Sequence, residues 1–515
     1  MIHASPLAPV EIPAVPLTSY VLQHAARLGD KPALVDGPSG RTLSYAQLAG
    51  GVAALAGGLA AKGFGRGSTL GILAPNIPEY AIVFHGTAMT GARITTINPT
   101  YTASEVRHQL EDAGATILVT VGMFLDVARE AAVGTKVEQI VTIDPVAGVE
   151  NLRDLFGPPM TEHAVVALDD VVVLPYSSGT TGLSKGVMLT HANLVANVAQ
   201  TLAPAKFEED ETFVAVLPFF HIYGMQVLMN CGLVAGATIV TLPRFELEQF
   251  LTIHQEHKIT RSFVAPPIVV AFAKHPMVDQ FDLTSLQQVF SGAAPLSAEL
   301  ALEAGARLGC EVVQGYGMTE LSPVSHLTPL GECKPGSVGV TAPNTETAIV
   351  DPASGAFLGI DEDGEVWVRG PQVMAGYLNN DAATAATIDA EHWLHTGDVG
   401  RIDSDGHLFI VDRLKELIKF KGFQVPPAEL EALLLTHPGI ADAAVIGKPD
   451  EEAGELPIGF VVTRPGVELT SDEIKTFVAG QVASYKQLHE ITFLAEIPKS
   501  ASGKILRRLL RDEQL

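Results

Sequence analysis

From about residue 42 to residue 340 the sequence alternates helix-period stretches with short apolar runs, and no other feature restricts the fold as much. TLSYAQLAGGVAALAGGLAAKG (42–63) reads as an alanine-rich amphipathic helix, and TLGILAP (69–75) as a short strand closed by a turn. Strands separated by helices pair in parallel and are covered on both faces, so the expected class is α/β with a largely parallel sheet. The character changes at TETAIVDPASGAFLGIDEDGEVWVRG (345–370), where short alternating strands are split by Gly and Asp turns. That pattern predicts a small antiparallel β subdomain over about 340–411. It changes again after HLFIVDR (407–413). A helix over 427–435 with prolines at its start, a strand at AAVIG and a capping box from Thr470 and Glu473 predict a separate α+β unit. The expected division is 1–412 and 413–515.

Charge excludes several functions. The chain has 33 Lys+Arg against 58 Asp+Glu, a formal net charge of -25, so it does not coat nucleic acid or an anionic membrane by bulk attraction. The imbalance is uneven: residues 412–515 hold 13 basic and 16 acidic residues, net -3, and the rest hold 20 and 42, net -22. A small unit relatively rich in cations is suited to bring charge to an anionic ligand. Cys231, Cys310 and Cys333 have no CxxC spacing, which argues against a disulfide framework or thiolate zinc site and fits a reducing cytosol. Residues 213–243 carry no Asp, Glu, Lys or Arg, but Pro218, His221, Asn230 and several glycines interrupt them. They read as a buried strand, helix and strand rather than a membrane span. With no secretory pattern at the N-terminus and no SKL or KDEL address at the C-terminus, the expectation is a soluble cytoplasmic protein with no integral membrane segment.

The segment VVVLPYSSGTTGLSKGVMLTH (171–191) carries the strongest chemical signal. An apolar strand runs into Ser177, Ser178, Gly179, Thr180, Thr181 and Gly182, then Lys185 and Gly186, with a helix expected near His191. Glycines allow successive backbone N–H groups to turn toward one anion, hydroxyls add donors, and lysine adds a point charge for phosphate. It is not a Walker A loop, which places Gly-Lys-Ser/Thr after a fixed gap.

This segment closely resembles the signature of the adenylate-forming superfamily, which includes acyl-CoA synthetases, firefly luciferase and the adenylation domains of peptide synthetases. Further matching motifs follow in order: GYGMTE (315–320), GEVWVRG (364–370), WLHTGD (393–398), DRLKE (412–416), KFKGFQV (419–425) and SGK (502–504). PFFHIYG (218–224), VAPPIV (264–269) and SGAAPL (291–296) make it most similar to the 4-coumarate–CoA ligase group. Ser184 departs from a proline frequent in the family.

The resemblance implies a large N-terminal domain of packed α/β subdomains with a small β subdomain, and a mobile C-terminal lid hinged near Lys415. It also implies ATP, Mg²⁺ and coenzyme A acting on a small carboxylic acid: acyl-AMP and pyrophosphate form first, then the thiol displaces AMP. Carried over by motif, residues 177–181 and Lys185 hold the β- and γ-phosphates, Thr319 holds the α-phosphate and Glu320 helps bind Mg²⁺. Asp398 takes the ribose hydroxyls, Arg413 is the second nucleotide contact, and Gln314 and Gly315 line the adenine and acyl groups. Lys504 bridges the carboxylate and the α-phosphate. Lys421 and Gly422 approach the coenzyme A channel after rotation, Lys419 and Gln424 lie near the nucleotide and acyl group, and Arg244 contacts a coenzyme A phosphate.

The implied acyl pocket is lined by Tyr223, Val227, Phe290, Ala293, Pro323 and Val324, with His221 at its mouth. For most of these, plain core packing is the competing reading. Plant coumarate ligases often have Ser or Thr at the position of Val227 and Lys at that of Phe290, so this pocket is more apolar. The expected acid is aryl, 4-coumarate- or cinnamate-like, with benzoate-like and medium-chain fatty acids open. An amino-acid-activating domain would have an Asp near Phe219-Phe220, and none stands there. A luciferase-like oxygenase shares the motifs but gains nothing from composition.

Overall fold

Runs of Val, Ile, Leu and Thr too short for helices form two large sheets in the computed structural model, which describes residues 1–177, 184–421, 423–450, 452–500 and 503–512. The nine-stranded sheet has six parallel central strands, in the order Glu311–Gly317, Gln288–Ser291, Arg261–Val264, Thr212–Ala215, Thr238–Thr241 and Pro32–Asp36. Antiparallel strands cover both of its ends. In the eight-stranded sheet, Val171–Ser177, Arg93–Thr96, Thr69–Leu73, Ile117–Thr120, Gln139–Thr142 and Glu150–Asn151 lie parallel. One continuous core joins them, with Leu34, Leu70, Ile72, Val172, Phe213 and Ile239 fully buried. The α/β class is as expected.

The helix expected over 42–63 begins later. Thr42–Ser44 is an edge strand and the helix is Tyr45–Ala61. Ser44 sets that start: its Oγ accepts the Gln47 N–H at 3.2 Å, and Gln47 Oε1 accepts the Ser44 N–H at 2.9 Å. The charge-poor stretch resolves into the strands Thr212–Ala215 and Thr238–Thr241 around a helical segment. Its first part, Tyr223–Asn230, is π-helical rather than α-helical. Among the described residues no helix is long and apolar enough to cross a membrane.

Beyond these sheets lies a five-stranded antiparallel sheet ordered Ile2–Ala4, Glu346–Val350, Gly364–Arg369, Leu394–Ile402 and Leu408–Arg413. The chain's first strand closes one edge of it. The C-terminal sheet contains Phe423–Val425, Ile418–Phe420, Gly454–Thr463, Ile440–Asp450 and Glu490–Phe493. Pro427–Thr436 and Ser471–Ala479 pack on it around Leu430, Leu434, Val445, Val461 and Ile474. The capping box at Thr470 and Glu473 forms as expected.

One buried ion pair ties the parallel sheet to a helix end. Arg261 Nε lies 2.6 Å from Glu211 Oε1, both side chains nearly inaccessible, and its guanidinium donates to the Ala205 and Lys206 carbonyls that close helix His191–Ala205. Burial raises the Glu211 carboxyl, with Arg261 pulling the other way. Arg261→Met strips the partner from a buried carboxylate and from two helix-end carbonyls, for an expected loss of about 3 kcal/mol. Urea unfolding of the two proteins checks this.

Candidate active site

The strand Val171–Ser177 does not run directly into a helix. Lys185–Thr190 returns antiparallel to it, with Lys185 opposite Ser177, so the two strands form a β-hairpin, and the helix begins at His191 as expected. Ser178, Gly179, Thr180 and Thr181 lie outside the described residues.

At the base of that hairpin the structure brings together Ser177, Lys185 and Glu320. Glu320 sits in the single turn Thr319–Leu321 and is 5% exposed, so its carboxylate needs partners. Ser177 Oγ donates to Glu320 Oε1 at 3.1 Å and Tyr377 Oη donates to the same oxygen at 2.8 Å. Among the described residues Oε2 accepts no hydrogen bond, which leaves one carboxylate oxygen open for a cation. Lys185 Nζ lies 4.8 Å from the centre of the Tyr377 ring. Tyr377 had no role in the sequence reading; its only signal is its position after Gly376 in a two-residue strand that pairs with the hairpin.

A second cluster gathers on the strand Leu394–Ile402. Asp398, in register with Arg413, receives Tyr316 Oη on Oδ2 at 2.6 Å and faces Arg413 Nε at 3.3 Å from Oδ1. Burial and the Asp398 charge push the Tyr316 phenol well above its ordinary value, so it stays a donor. Tyr316 is the second residue whose part the motif reading left unassigned. Gln314 is buried on the strand Glu311–Gly317, and Gly315 follows it. A Cβ at Gly315 would come within 2.6 Å of the Phe290 ring, so only glycine lets that ring lie flat against the strand.

The C-terminal unit contributes Lys504. Residues Lys499 and Ile505 pair antiparallel, and Gly503, at φ +82°, packs where a Cβ would meet Ala265 at 3.0 Å. A lysine held this way is half-buried. Burial pushes its ammonium down to about 8, Arg413 adds to that, and Asp398, Glu320 and Glu416 oppose it. Lys504 therefore feels charges of both clusters, Glu320 of the first and Asp398 and Arg413 of the second. His221 completes the group: burial and then Lys504 hold its imidazole at about 4, so it is neutral at physiological pH. The Tyr223 N–H donates to His221 Nδ1 at 3.3 Å, which leaves the proton on Nε2. His221 and Thr319 line a cavity of ≈ 30 Å³ with Tyr176 and Phe220.

The acyl residues divide. Tyr223 Oη donates to the Phe290 carbonyl at 3.3 Å, and the Phe290 ring meets Gly315, so these three are neighbours. Pro323 and Val324 are buried beside Gly317. Val227 belongs to the hydrophobic core and does not line the cavity beside His221. The π-helical turn that carries Tyr223 and Val227 is a geometry frequent at functional sites. Ala293 is exposed at φ 72°.

Five of the described residues do not join the clusters. Lys419, Lys421 and Gln424 are exposed on the hairpin Ile418–Val425, and their recorded partners are Glu455, Ala453 and each other's strand. Arg244 is exposed after the strand Thr238–Thr241. Gly422 lies outside the described residues. Lys415 is exposed in the turn that follows Arg413. No group of three or more His, Cys, Asp or Glu that could hold a metal occurs among the described residues.

A large α/β unit and a smaller α+β one that brings a lysine to its carboxylates are the features that define the class. The chain belongs to the AMP-binding enzyme family: residues 21–378 match that family and residues 429–504 match the AMP-binding enzyme C-terminal domain. It is 44% identical over 524 residues to 4-coumarate–CoA ligase 1 of Petroselinum crispum, covering 99% of this chain and 96% of that one. To 4-coumarate–CoA ligase 3 of Oryza sativa subsp. japonica it is 45% identical over 529 residues, covering 99% and 94%. The anthranilate CoA ligase AuaEII, solved with anthranoyl-AMP, superposes with a TM-score of 0.91 at 26% identity, covering 97% of this chain and 98% of that one. ATP-bound MatB from Rhodopseudomonas palustris gives 0.87 at 28% identity, covering 97% and 99%.

Proposed function

We propose that this chain is an AMP-forming acid–CoA ligase acting on an aryl carboxylic acid of the cinnamate or 4-coumarate type. The observation that carries the reading is Lys504 of the C-terminal unit, set beside Arg413 and facing Asp398, Glu320 and His221 of the main unit. The near-full-length similarity to 4-coumarate–CoA ligases supports the acid class.

In the first step a carboxylate oxygen bonds to the α-phosphorus of ATP while the bond to the bridging oxygen breaks and pyrophosphate leaves. Two anions approach, so the barrier is chiefly electrostatic. Lys504 lies between the carboxylate and the α-phosphate, Thr319 donates to the α-phosphate, and Asp398 accepts from the ribose hydroxyls with Arg413 beside it. Ser177 and Lys185, with Ser178, Gly179, Thr180 and Thr181, hold the outer phosphates. Glu320 would hold Mg²⁺, which when bound would supply charge neutralisation on the phosphates. His221, neutral with its proton on Nε2, donates toward the acid. Gln314 and Gly315 face the adenine and acyl groups.

In the second step the coenzyme A sulfur bonds to the acyl carbon, AMP leaves and the thiol proton is released. The unit 413–515 turns about Lys415 between steps, bringing Lys421 and Gly422 to the thiol channel, Lys419 and Gln424 to the nucleotide and acyl group, and coenzyme A phosphate to Arg244. Tyr223, Phe290, Ala293, Pro323 and Val324 form the acyl walls, with Val227 packed in the core behind Tyr223's helical turn, and their apolar character favours acids without a polar para substituent. A cytoplasmic setting fits the three free thiols. Pyrophosphate release over a panel of cinnamates, benzoates and C6–C10 fatty acids, followed by mass detection of the thioester, tests the reading. Cinnamate-type acids are expected to turn over best; a preference for the fatty acids would replace the aryl assignment with a medium-chain one.

A further inference from the structure

The helix Pro427–Thr436 of the C-terminal unit is held at both ends by charges of the main unit. At its N-terminus, the Ala428 N–H donates to Asp412 Oδ2 at 2.8 Å, and Asp412 belongs to the strand Leu408–Arg413. At its C-terminus, the Leu435 carbonyl accepts from Lys274 Nζ at 3.0 Å, and Lys274 ends the helix Pro266–Lys274. An anion at the positive end and a cation at the negative end are the placements a helix dipole favours. The start of the Lys274 helix also receives the C-terminal unit, since Gly503 packs on Ala265 and Pro267. One helix of the main unit therefore carries both the loop of Lys504 and the far end of the docked helix.

The Lys274 end depends on that bond. Beside it the two units leave a cavity of ≈ 220 Å³ lined by Lys274, Ser297, Glu303, Leu435 and Ile440, so apolar packing contributes little there. Lys274 has a second partner within its own unit, Glu303 at 3.9 Å. When the docked helix departs, the ammonium keeps a counter-charge, and the contact can break and re-form without stranding a buried cation.

We infer that Lys274 is a positioning residue that latches the C-terminal unit in the arrangement that inserts Lys504, so that it favours acyl-AMP formation over thioester formation. This rests on the ligase reading above. It touches neither substrate nor reacting atoms. The test uses the full chain with Lys274→Met and Lys274→Arg, a cinnamate, ATP and coenzyme A. Acyl-AMP formation by Lys274→Met is expected to fall about tenfold, the loss of one charge-assisted bond, with its KM for ATP unchanged. Thioester formation from supplied acyl-AMP is expected to stay equal or rise, and Lys274→Arg to restore adenylation to within about twofold, since it still donates. An equal fall in both half-reactions, an unaltered rate of adenylation, or failure of arginine to rescue would overturn the latch. If the unaltered chain makes no acyl-AMP, the ligase reading itself falls and the latch with it.

Discussion

Lys504→Ala is expected to lower acyl-AMP formation by about 10²–10³-fold while thioester formation from supplied acyl-AMP changes by about twofold or less. The first figure is the usual cost of removing one preorganised group that faces developing charge in a water-poor site. The asymmetry follows from where the lysine sits. It is carried by the smaller unit and approaches Asp398, Glu320 and His221 only as long as that unit is docked as observed. The second half-reaction places negative charge on a leaving AMP and needs no bridge between two anions. A pH profile gives an independent reading. Burial pushes the ammonium down to about 8, so the charged form is lost as pH rises through that value. kcat/KM for adenylation, which reports the free enzyme, is expected to fall above about pH 8. Bound phosphates favour the charged form, so the corresponding limb in kcat should lie higher. Lys504→Arg, which does not titrate in this range, is expected to flatten that limb. Equal loss of both half-reactions in the alanine variant would remove Lys504 from the role assigned to it.

Asp398→Asn should cost about a hundredfold in kcat/KM for ATP, with thermal unfolding almost unchanged. The carboxylate is 10% exposed in its side chain and already holds Tyr316 and Arg413, one on each oxygen. Each oxygen keeps a further acceptor site for a ribose hydroxyl, and asparagine has only one oxygen to offer. Two charge-assisted bonds at about 1.5 kcal/mol each give a loss of that size. Tyr316 is half-buried with a donor hydroxyl, which the asparagine oxygen still satisfies, so the fold is preserved. A variant that loses kcat/KM for the acid and ATP equally, or that unfolds early, would contradict the ribose assignment.

What was legible in the sequence depended on how local its cause is. The helix at 427 with its prolines and the box of Thr470 and Glu473 are set by neighbouring residues, and both form as read. The strand Ile2–Ala4 pairs with Glu346–Val350 across most of the chain, and no local pattern encodes such a partner. The hairpin strand Lys185–Thr190 was hidden because KGVMLT is as compatible with the start of a helix as with a return strand; its bulge and its pairing with Gly376–Tyr377 decide the matter. The site shows the same division. Glycines, hydroxyls and charges clustered in short motifs announce themselves, whereas Tyr377 and Tyr316 matter through the carboxylates they reach from distant strands. Val227, Tyr223 and Phe290 could not be separated into wall and core by residue type, since an apolar residue looks the same in either place.

The central claim is that a carboxylate oxygen of the acid attacks the α-phosphorus of ATP and that coenzyme A later displaces AMP. Its most direct test is a turnover with cinnamate carrying ¹⁸O in both carboxylate positions, followed by mass analysis of the nucleotide and phosphate products. Bond formation at the α-phosphorus leaves one acid oxygen on AMP, so the account predicts AMP with a single ¹⁸O, unlabelled pyrophosphate and a thioester that retains one ¹⁸O. Label in inorganic phosphate with ADP as the nucleotide product, or AMP free of label, would contradict it.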